Sequence, residues 1–282
     1  MTQHTLNIEL DGELATLTFN RPEKRNAISQ EMIEELFAAF NDLESGPARV
    51  VILTGAGQAF CAGMDLSSLQ ALAAESEKHK VLKGGVMKGG VPRASDANVA
   101  DSRRLARLFR RIYDFPKPLI AAVNGPAIAG GCGIATFCDF TLAAPEAKFG
   151  YTEVRIGFMP ALVSVFLVRQ IGEKRARDLL LSGRIFGAEE ALRLGLIGEI
   201  VPAEKLMTRA GELATELLAV SPTSLLYTKR LLREMFEKDL DRQLELALQE
   251  NARIRSTPDF REGLSAFLEK RKPVWGKSKG KS

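Results

Sequence analysis

At 282 residues the chain suits one large domain, or one domain with an appendage. Its 45% hydrophobic and 26% charged content is ordinary for a globular protein. No apolar run approaches the roughly 20 residues of a membrane span, and Met1-Thr2-Gln3-His4 opens neither a secretory nor an Arg-rich transit pattern, so a cytoplasmic location and no membrane partner are expected. The formal charge of +4 gathers at the end, where Lys270, Arg271, Lys272, Lys277, Lys279 and Lys281 stand against Glu269; a basic tail on a near-neutral body argues against a nucleic-acid partner.

In chain order, residues 13–19 alternate as a strand that Arg21-Pro22 ends. Ser29 can cap a helix whose apolar face is Ile33, Leu36, Phe37 and Phe40. Residues 49–55 read as a buried strand, followed by Gly57-Gln58-Ala59-Phe60-Cys61-Ala62-Gly63-Met64-Asp65-Leu66, in which Asp65 suits a helix start. The pattern then degrades over about 67–101, where Gly84-Gly85, Gly89-Gly90 and Pro92-Arg93-Ala94-Ser95 punctuate a polar segment. Two readings stay open for this long connection: a lid over a ligand, or a surface insertion. Leu105, Leu108, Phe109 and Ile112 restore helical spacing.

The central stretch is 117–139. Leu119–Val123 is an uncharged apolar run that fits a strand buried on both faces, broken by Asn124, Gly125 and Pro126. Gly130, Gly131 and Gly133 open a small-residue helix ending near Asp139. Side-chain-free helix starts let a ligand approach unpaired N–H groups, which outlines an anion or oxyanion pocket; close packing of the helix on the strand accounts for the same residues. The unit at 49–66 repeats this grammar of strand, glycine turn and Ala-Gly. Side by side, the two could aim an N–H after Gly63 and one at Gly130 at a single atom, as an enolising thioester oxygen requires.

Strands are expected at 140–144 and 147–150, with Tyr151-Thr152-Glu153 on a connection. Helices follow: one with Leu162, Val165 and Phe166 facing inward, then 175–181 and 189–194. Residues 198–202 end the strand-and-helix pattern. Beyond it the chain is helical, with Leu206, Ala210, Leu213 and Leu217 on one face and further helices at 225–235 and 240–248. Such an end must pack on the body or on neighbouring subunits.

The candidate chemistry is narrow. Only His4 and His79 exist, which disfavours a histidine-held metal or a Ser-His-Asp triad. Cys61, Cys132 and Cys138 read as small buried hydrophobes. Glu153, between Phe149-Gly150 and Met159, has an apolar setting that would raise its pKa towards that of a general base; a structural ion pair with Arg155 is the alternative. Gly55-Ala56-Gly57-Gln58-Ala59-Phe60 has Phe where a dinucleotide fingerprint needs its third glycine.

Five stretches in order resemble the enoyl-CoA hydratase/isomerase (crotonase) superfamily: Asn20-Arg21-Pro22 with Asn26-Ala27, residues 59–66, residues 117–139, Phe149-Gly150-Tyr151-Thr152-Glu153, and 267–273. The resemblance implies an α/β fold, with a ββα spiral core over 1–202 (66–101 as its long loop) and a C-terminal all-helical region with a basic tail over 203–282. It also implies homotrimers or homohexamers. The substrate implied is an acyl-CoA thioester with no separate cofactor. Met64 and Gly130 N–H groups would hold the thioester oxygen and Glu153 would be the base. Ala62, Gly63, Asp65, Leu66, Gly131 and Gly133 would line the substrate, and Lys270 would meet the CoA adenosine phosphate. The resemblance implies hydration of the 2,3 double bond, with double-bond isomerisation, or a non-catalytic acyl-CoA- or RNA-binding role, as alternatives. Family hydratases typically carry a second glutamate where Gly133 stands, so the chain looks nearer to single-glutamate members acting on branched or bulky enoyl groups.

Overall fold

The structure is a computed structural model that describes residues 4–67, 70, 96–235 and 237–275. Two sheets wind through it. The larger runs β1-β2-β3-β4-β6-β9: β1 (Leu6–Asp11) and β2 (Leu14–Phe19) form a hairpin, and β3 (Val50–Gly55), β4 (Leu119–Val123), β6 (Phe140–Ala143) and β9 (Glu199–Ile200) join in parallel. The smaller contains β5 (Ala127–Ile128), β7 (Lys148–Gly150) and β8 (Ile185–Gly187), and Cys61 bridges to Ala127 at its side. Each turn of the chain therefore adds one strand to the large sheet and one short pairing to the small one: β3 then Cys61, β4 then β5, β6 then β7.

Every residue of β3 and β4 is buried, which is why both read as unbroken apolar runs. On one face of the sheet Leu17, Leu53 and Ala121 pack in the main core, which also takes in α1 (Gln30–Ser45), α2 (Asp96–Tyr113), α3 (Gly130–Phe137) and α4 (Ala161–Ile171). On the other, Ile52, Ile120, Ala122 and Leu142 meet Leu206, Ala210 and Ala214 of α7 (Leu206–Leu218). Between them lie α5 (Glu173–Ser182) and α6 (Ala188–Leu194), and α8 (Pro222–Glu234), α9 (Glu237–Ile254) and α10 (Pro258–Leu268) complete the helical end. Ser29 caps α1 by accepting from the Met32 N–H, as expected.

Three expectations are corrected. Strand β1 lay outside the sequence reading, although Leu6, Ile8 and Leu10 alternate with Asn7, Glu9 and Asp11; in the fold only Leu6 of these is buried, and Ile8 and Leu10 are exposed. The low-order stretch does not reach 101: α2 begins at Asp96, and its polar Asp101 and Ser102 are buried because partners on the C-terminal helices satisfy them. Residues 71–95 of the expected loop, and His79 with them, lie outside the described residues. Finally α10 falls in the expected all-helical end but was not read as a separate helix, and its backbone lies directly on the turn after Glu153. A Cβ at Gly157 would fall 2.1 Å from the Asp259 carbonyl oxygen, and one at Gly263 would fall 2.3 Å from the Ile156 carbonyl. No helix among the described residues is long and apolar enough to cross a membrane.

Candidate active site

The two glycine units abut. Asn124 donates through Nδ2 to the carbonyls of Gly55 (2.8 Å) and Gly57 (2.9 Å), tying the two turns together. Ile128 N–H donates to the Cys61 carbonyl, and a Cβ on Gly125 would stand 2.1 Å from the Gln58 carbonyl oxygen. Farther along, a Cβ on Gly63 would lie 2.9 Å from the Ile128 carbonyl oxygen and 3.7 Å from the Gly130 nitrogen. At φ +88°, Gly63 is also in a region that L side chains rarely adopt. The first unit is braced from the N-terminal motif: Arg21 pairs with Asp65 at 2.9 Å and donates to the Ala27 carbonyl, while Asn26 donates to the Ala56 and Ala59 carbonyls.

This packing frees two donors. The backbone on either side of Met64 is committed, since Asp65 N–H donates to the Ile28 carbonyl and the Gly63 carbonyl accepts from Ile28 N–H. Gly133 N–H, donating to the Ala129 carbonyl, is the first bond of α3. Neither Met64 N–H nor Gly130 N–H has an acceptor among the described residues. Ala129, which sets the direction of the helix start, sits at φ +51°, ψ −122°. Backbone held so far from ordinary values is found where surrounding packing imposes it for a site.

Glu153 opens the 3₁₀ turn Glu153–Ile156 after β7. It is 8% exposed, its Oε2 has no hydrogen-bond partner among the described residues, and burial raises its pKa from 4.5 to about 7. Among the described residues no cation pairs with it, Arg155 included. Glu153, Met64 and Gly130 line one cavity of about 460 Å³, walled mainly by apolar side chains such as Leu105, Phe109, Phe158, Leu162 and Val163.

The other site residues expected from sequence divide. Ala62 and Leu66 line the cavity with Met64. Gly63 is buried beside it, and Gly131 packs on Cys61, where a Cβ would meet the carbonyl oxygen at 2.2 Å. Asp65 faces away into Arg21 and Ser67; burial would raise its carboxyl, but these hydrogen bonds outweigh it and hold the group below its usual range. Gly133 does not line the cavity, and a Cβ there would meet Val163 and Phe137. Lys270 is exposed just past α10 at φ +54° and is not among the lining residues, whereas its neighbour Arg271 is. Arg25 and Arg155 also border the cavity, as does Asn251 from α9; nothing local in the sequence marked any of these three as lining residues. The three cysteines are free and buried, and desolvation pushes the Cys61 and Cys132 thiols up to about 12. Among the described residues no cluster of His, Cys, Asp or Glu is placed to hold a metal.

A spiral of strand-and-helix turns, two adjacent free N–H groups and one desolvated carboxylate in an apolar cavity together define a crotonase-like architecture. The chain belongs to the enoyl-CoA hydratase/isomerase family, which residues 9–88 and 83–278 match. A Thermus thermophilus protein provisionally named an enoyl-CoA hydratase is 46% identical over 263 residues, 93% of this chain and 97% of that one. The crotonyl-CoA hydratase of Syntrophomonas wolfei is 32% identical, covering 96% of this chain and 98% of its own. The crystal structure of an enoyl-CoA hydratase/isomerase from Xanthobacter autotrophicus superposes with a TM-score of 0.81 at 31% identity, over 96% of this chain and 98% of that one.

Proposed function

We propose that this protein adds water across the 2,3 double bond of an enoyl-CoA. The observation that carries the proposal is Glu153 Oε2, without a partner among the described residues and buried in the same apolar cavity that Met64 and Gly130 line. Glu153 takes a proton from water as its oxygen bonds to C3. The π electrons move to the thioester oxygen, where the two N–H groups hold the enolate; each such donor lowers the barrier by roughly 2.7–4 kcal/mol. Protonated Glu153 then returns the proton to C2, and the thioester carbonyl reforms. The hydratase names of the full-length relatives support this direction of chemistry.

One observation favours a second reading. With Gly133 where a second carboxylate would stand, Glu153 is the single matched acid, and one carboxylate suffices to carry a proton from C2 to C4. Isomerisation is that alternative, and a preference for branched or bulky enoyl groups belongs with the single-glutamate reading. We further propose that CoA enters only as part of the substrate, that the protein is cytoplasmic, and that it assembles as a homotrimer or homohexamer. The exposed Leu226, Tyr227, Leu231 and Leu232 of α8 support assembly. The retained Glu153 disfavours a purely binding role, whether for acyl-CoA or RNA. Incubation with a panel of enoyl-CoA thioesters, with products identified by mass, tests the proposal. A product heavier by one water is expected; a product of unchanged mass with a shifted double bond would assign isomerisation instead.

A further inference from the structure

Behind the apolar wall of the cavity lies a buried polar cluster that the proposed reaction does not use. Arg255 Nη1 donates to Asp101 Oδ2 at 2.5 Å, both side chains being almost fully buried, and Gln30 Nε2 donates to Asp101 Oδ1 at 2.9 Å. Arg255 Nη2 donates to Asn251 Oδ1 at 3.2 Å, and Ser102 Oγ donates to the same oxygen at 2.8 Å. Arg104 donates to Gln30 Oε1. Every carboxylate and amide oxygen in the cluster is thus engaged. What remains is a surplus of donors: Arg255 Nε is buried with no acceptor among the described residues, and Asn251 Nδ2 takes no part in the hydrogen bonds of the cluster.

The orientation of the Asn251 amide is fixed chemically. A guanidinium nitrogen can only donate, so the Asn251 atom facing Arg255 Nη2 is the oxygen, and Nδ2 is the atom turned away from the cluster. Asn251 is 3% exposed and lines the cavity. Arg255 Nε is fully buried outside that lining, which leaves Asn251 Nδ2 as the donor available to a cavity occupant. Along α2, Phe109 abuts the start of α3, since its Cζ would be 3.3 Å from a Cβ on Gly130. Ser102 precedes Phe109 by about 10 Å on a helix that rises roughly 1.5 Å per residue, so Asn251 belongs to a part of the cavity distant from the thioester.

We infer that Asn251 Nδ2 selects acyl chains that carry an oxygen acceptor, such as a hydroxyl, keto or ether group, on the order of 10 Å from the thioester carbonyl. The inference rests on the reading of the cavity as an acyl-CoA site. The ion pair of the cluster is internally neutralised and its oxygens are engaged, so the missing partner is an acceptor rather than a donor. A hydrocarbon chain leaves the amide donor unsatisfied or dependent on water, which weakens binding of that chain relative to its oxygenated counterpart.

Dissociation constants test this without requiring turnover. Saturated decanoyl-CoA is compared with a series in which an ether oxygen replaces one methylene at successive positions, so that length and shape are held while a single acceptor moves. The wild type should bind one member, with oxygen in the outer half of the chain, about tenfold more tightly than decanoyl-CoA. Asn251→Asp keeps an oxygen towards Ser102 and Arg255 but presents an acceptor to the cavity, and that preference should vanish or reverse. A flat wild-type series overturns the inference even if the variant fails to fold, and a preference unchanged in Asn251→Asp overturns the assignment to Nδ2. Failure of every acyl-CoA to bind overturns it together with the acyl-CoA reading. Position-dependent binding without hydration of any enoyl-CoA supports the inference and defeats only the hydratase proposal.

Discussion

Val163 Cγ1 lies 2.7 Å from the point where a Cβ on Gly133 would stand, and the Phe137 ring lies 3.0 Å from it. The space a second carboxylate would need is therefore filled by a side chain that also lines the cavity. Gly133→Glu alone should overpack the core, at a cost of about 1–3 kcal/mol in stability, without improving hydration. Gly133→Glu combined with Val163→Ala should recover part of that loss and place a second acid near Glu153. Its hydration-to-isomerisation ratio on a short, unbranched enoyl-CoA should rise above the wild-type ratio. Thermal unfolding and product ratios check both statements; a double variant that folds and binds ligand with an unchanged ratio removes the significance given to Gly133.

Glu153→Gln should abolish turnover while acyl-CoA binding survives. Gln preserves shape and removes the base, a loss of roughly 10²- to 10⁴-fold in rate. A kcat above a tenth of wild type would move the proton traffic to another group.

The raised pKa of Glu153 makes two statements of opposite sense about pH. The base must be ionised to act, so kcat/KM should rise as pH rises through about 7. Stability runs the other way. The unfolded carboxyl ionises near 4.5 and the folded one near 7, so between these values the native state binds more protons and stability falls as pH rises. Above 7 the full penalty is present, roughly 3 kcal/mol at about 1.36 kcal/mol per unit. Glu153→Gln should therefore be more stable than wild type at pH 8, and the difference should close towards pH 4. Chemical denaturation at both pH values measures it; equal stability at pH 8 would mean that the carboxylate is solvated in the native state.

What the sequence made legible follows from where burial is uniform and local. β3 and β4 are buried at every residue, and the glycine turns beside them announce a close backbone approach, so both units and their possible convergence could be read directly. The apolar setting of Glu153 was partly legible, since Phe158 and Met159 line its cavity, but choosing a base over an ion pair with Arg155 needed the family resemblance, because Leu105, Phe109 and Leu162 reach the cavity from other helices. The Asp101–Arg255 pair spans 154 residues, and the Asn251–Ser102 contact spans 149; no periodicity within α2 or α9 could show either. Gly133 was legible as an absence of a carboxylate but not as an absence of space, since Val163 reaches it from another helix.

Gly63→Ala should disable the proposed oxyanion site while Glu153 remains in place. Alanine is strained at φ +88°, and its Cβ would press the Ile128 carbonyl oxygen at 2.9 Å and the Ala129 methyl at 3.0 Å. Relief requires the two units to separate, which spoils the convergence of the Met64 and Gly130 N–H groups. Loss of one such donor typically lowers kcat by about 10²- to 10³-fold. The drop should appear in kcat more than in KM, because the charge develops only as the bond to water forms. An alanine variant with near-normal kcat would show that these two N–H groups do not hold the thioester oxygen.

Lys270 and Arg271 are adjacent cations with different surroundings, and separating them tests which one meets the nucleotide end of CoA. Arg271 is engaged by Glu262 and Glu269, and Val274 N–H also donates to Glu262, so Arg271 clamps the chain end that brings Pro273 to the cavity. Arg271→Ala should therefore weaken CoA and pantetheine thioesters alike. Lys270 has no carboxylate partner among the described residues and is free to contact a phosphate. Lys270→Ala should weaken CoA thioesters by up to about fivefold, as expected for an exposed charge contact, and leave pantetheine thioesters, which lack the adenosine phosphates, unaffected. The difference should shrink at high salt because the contact is screened. Titration of both ligands against both variants at low and high ionic strength decides it. Equal weakening of the two ligands by Lys270→Ala would assign that lysine to the fold rather than to CoA.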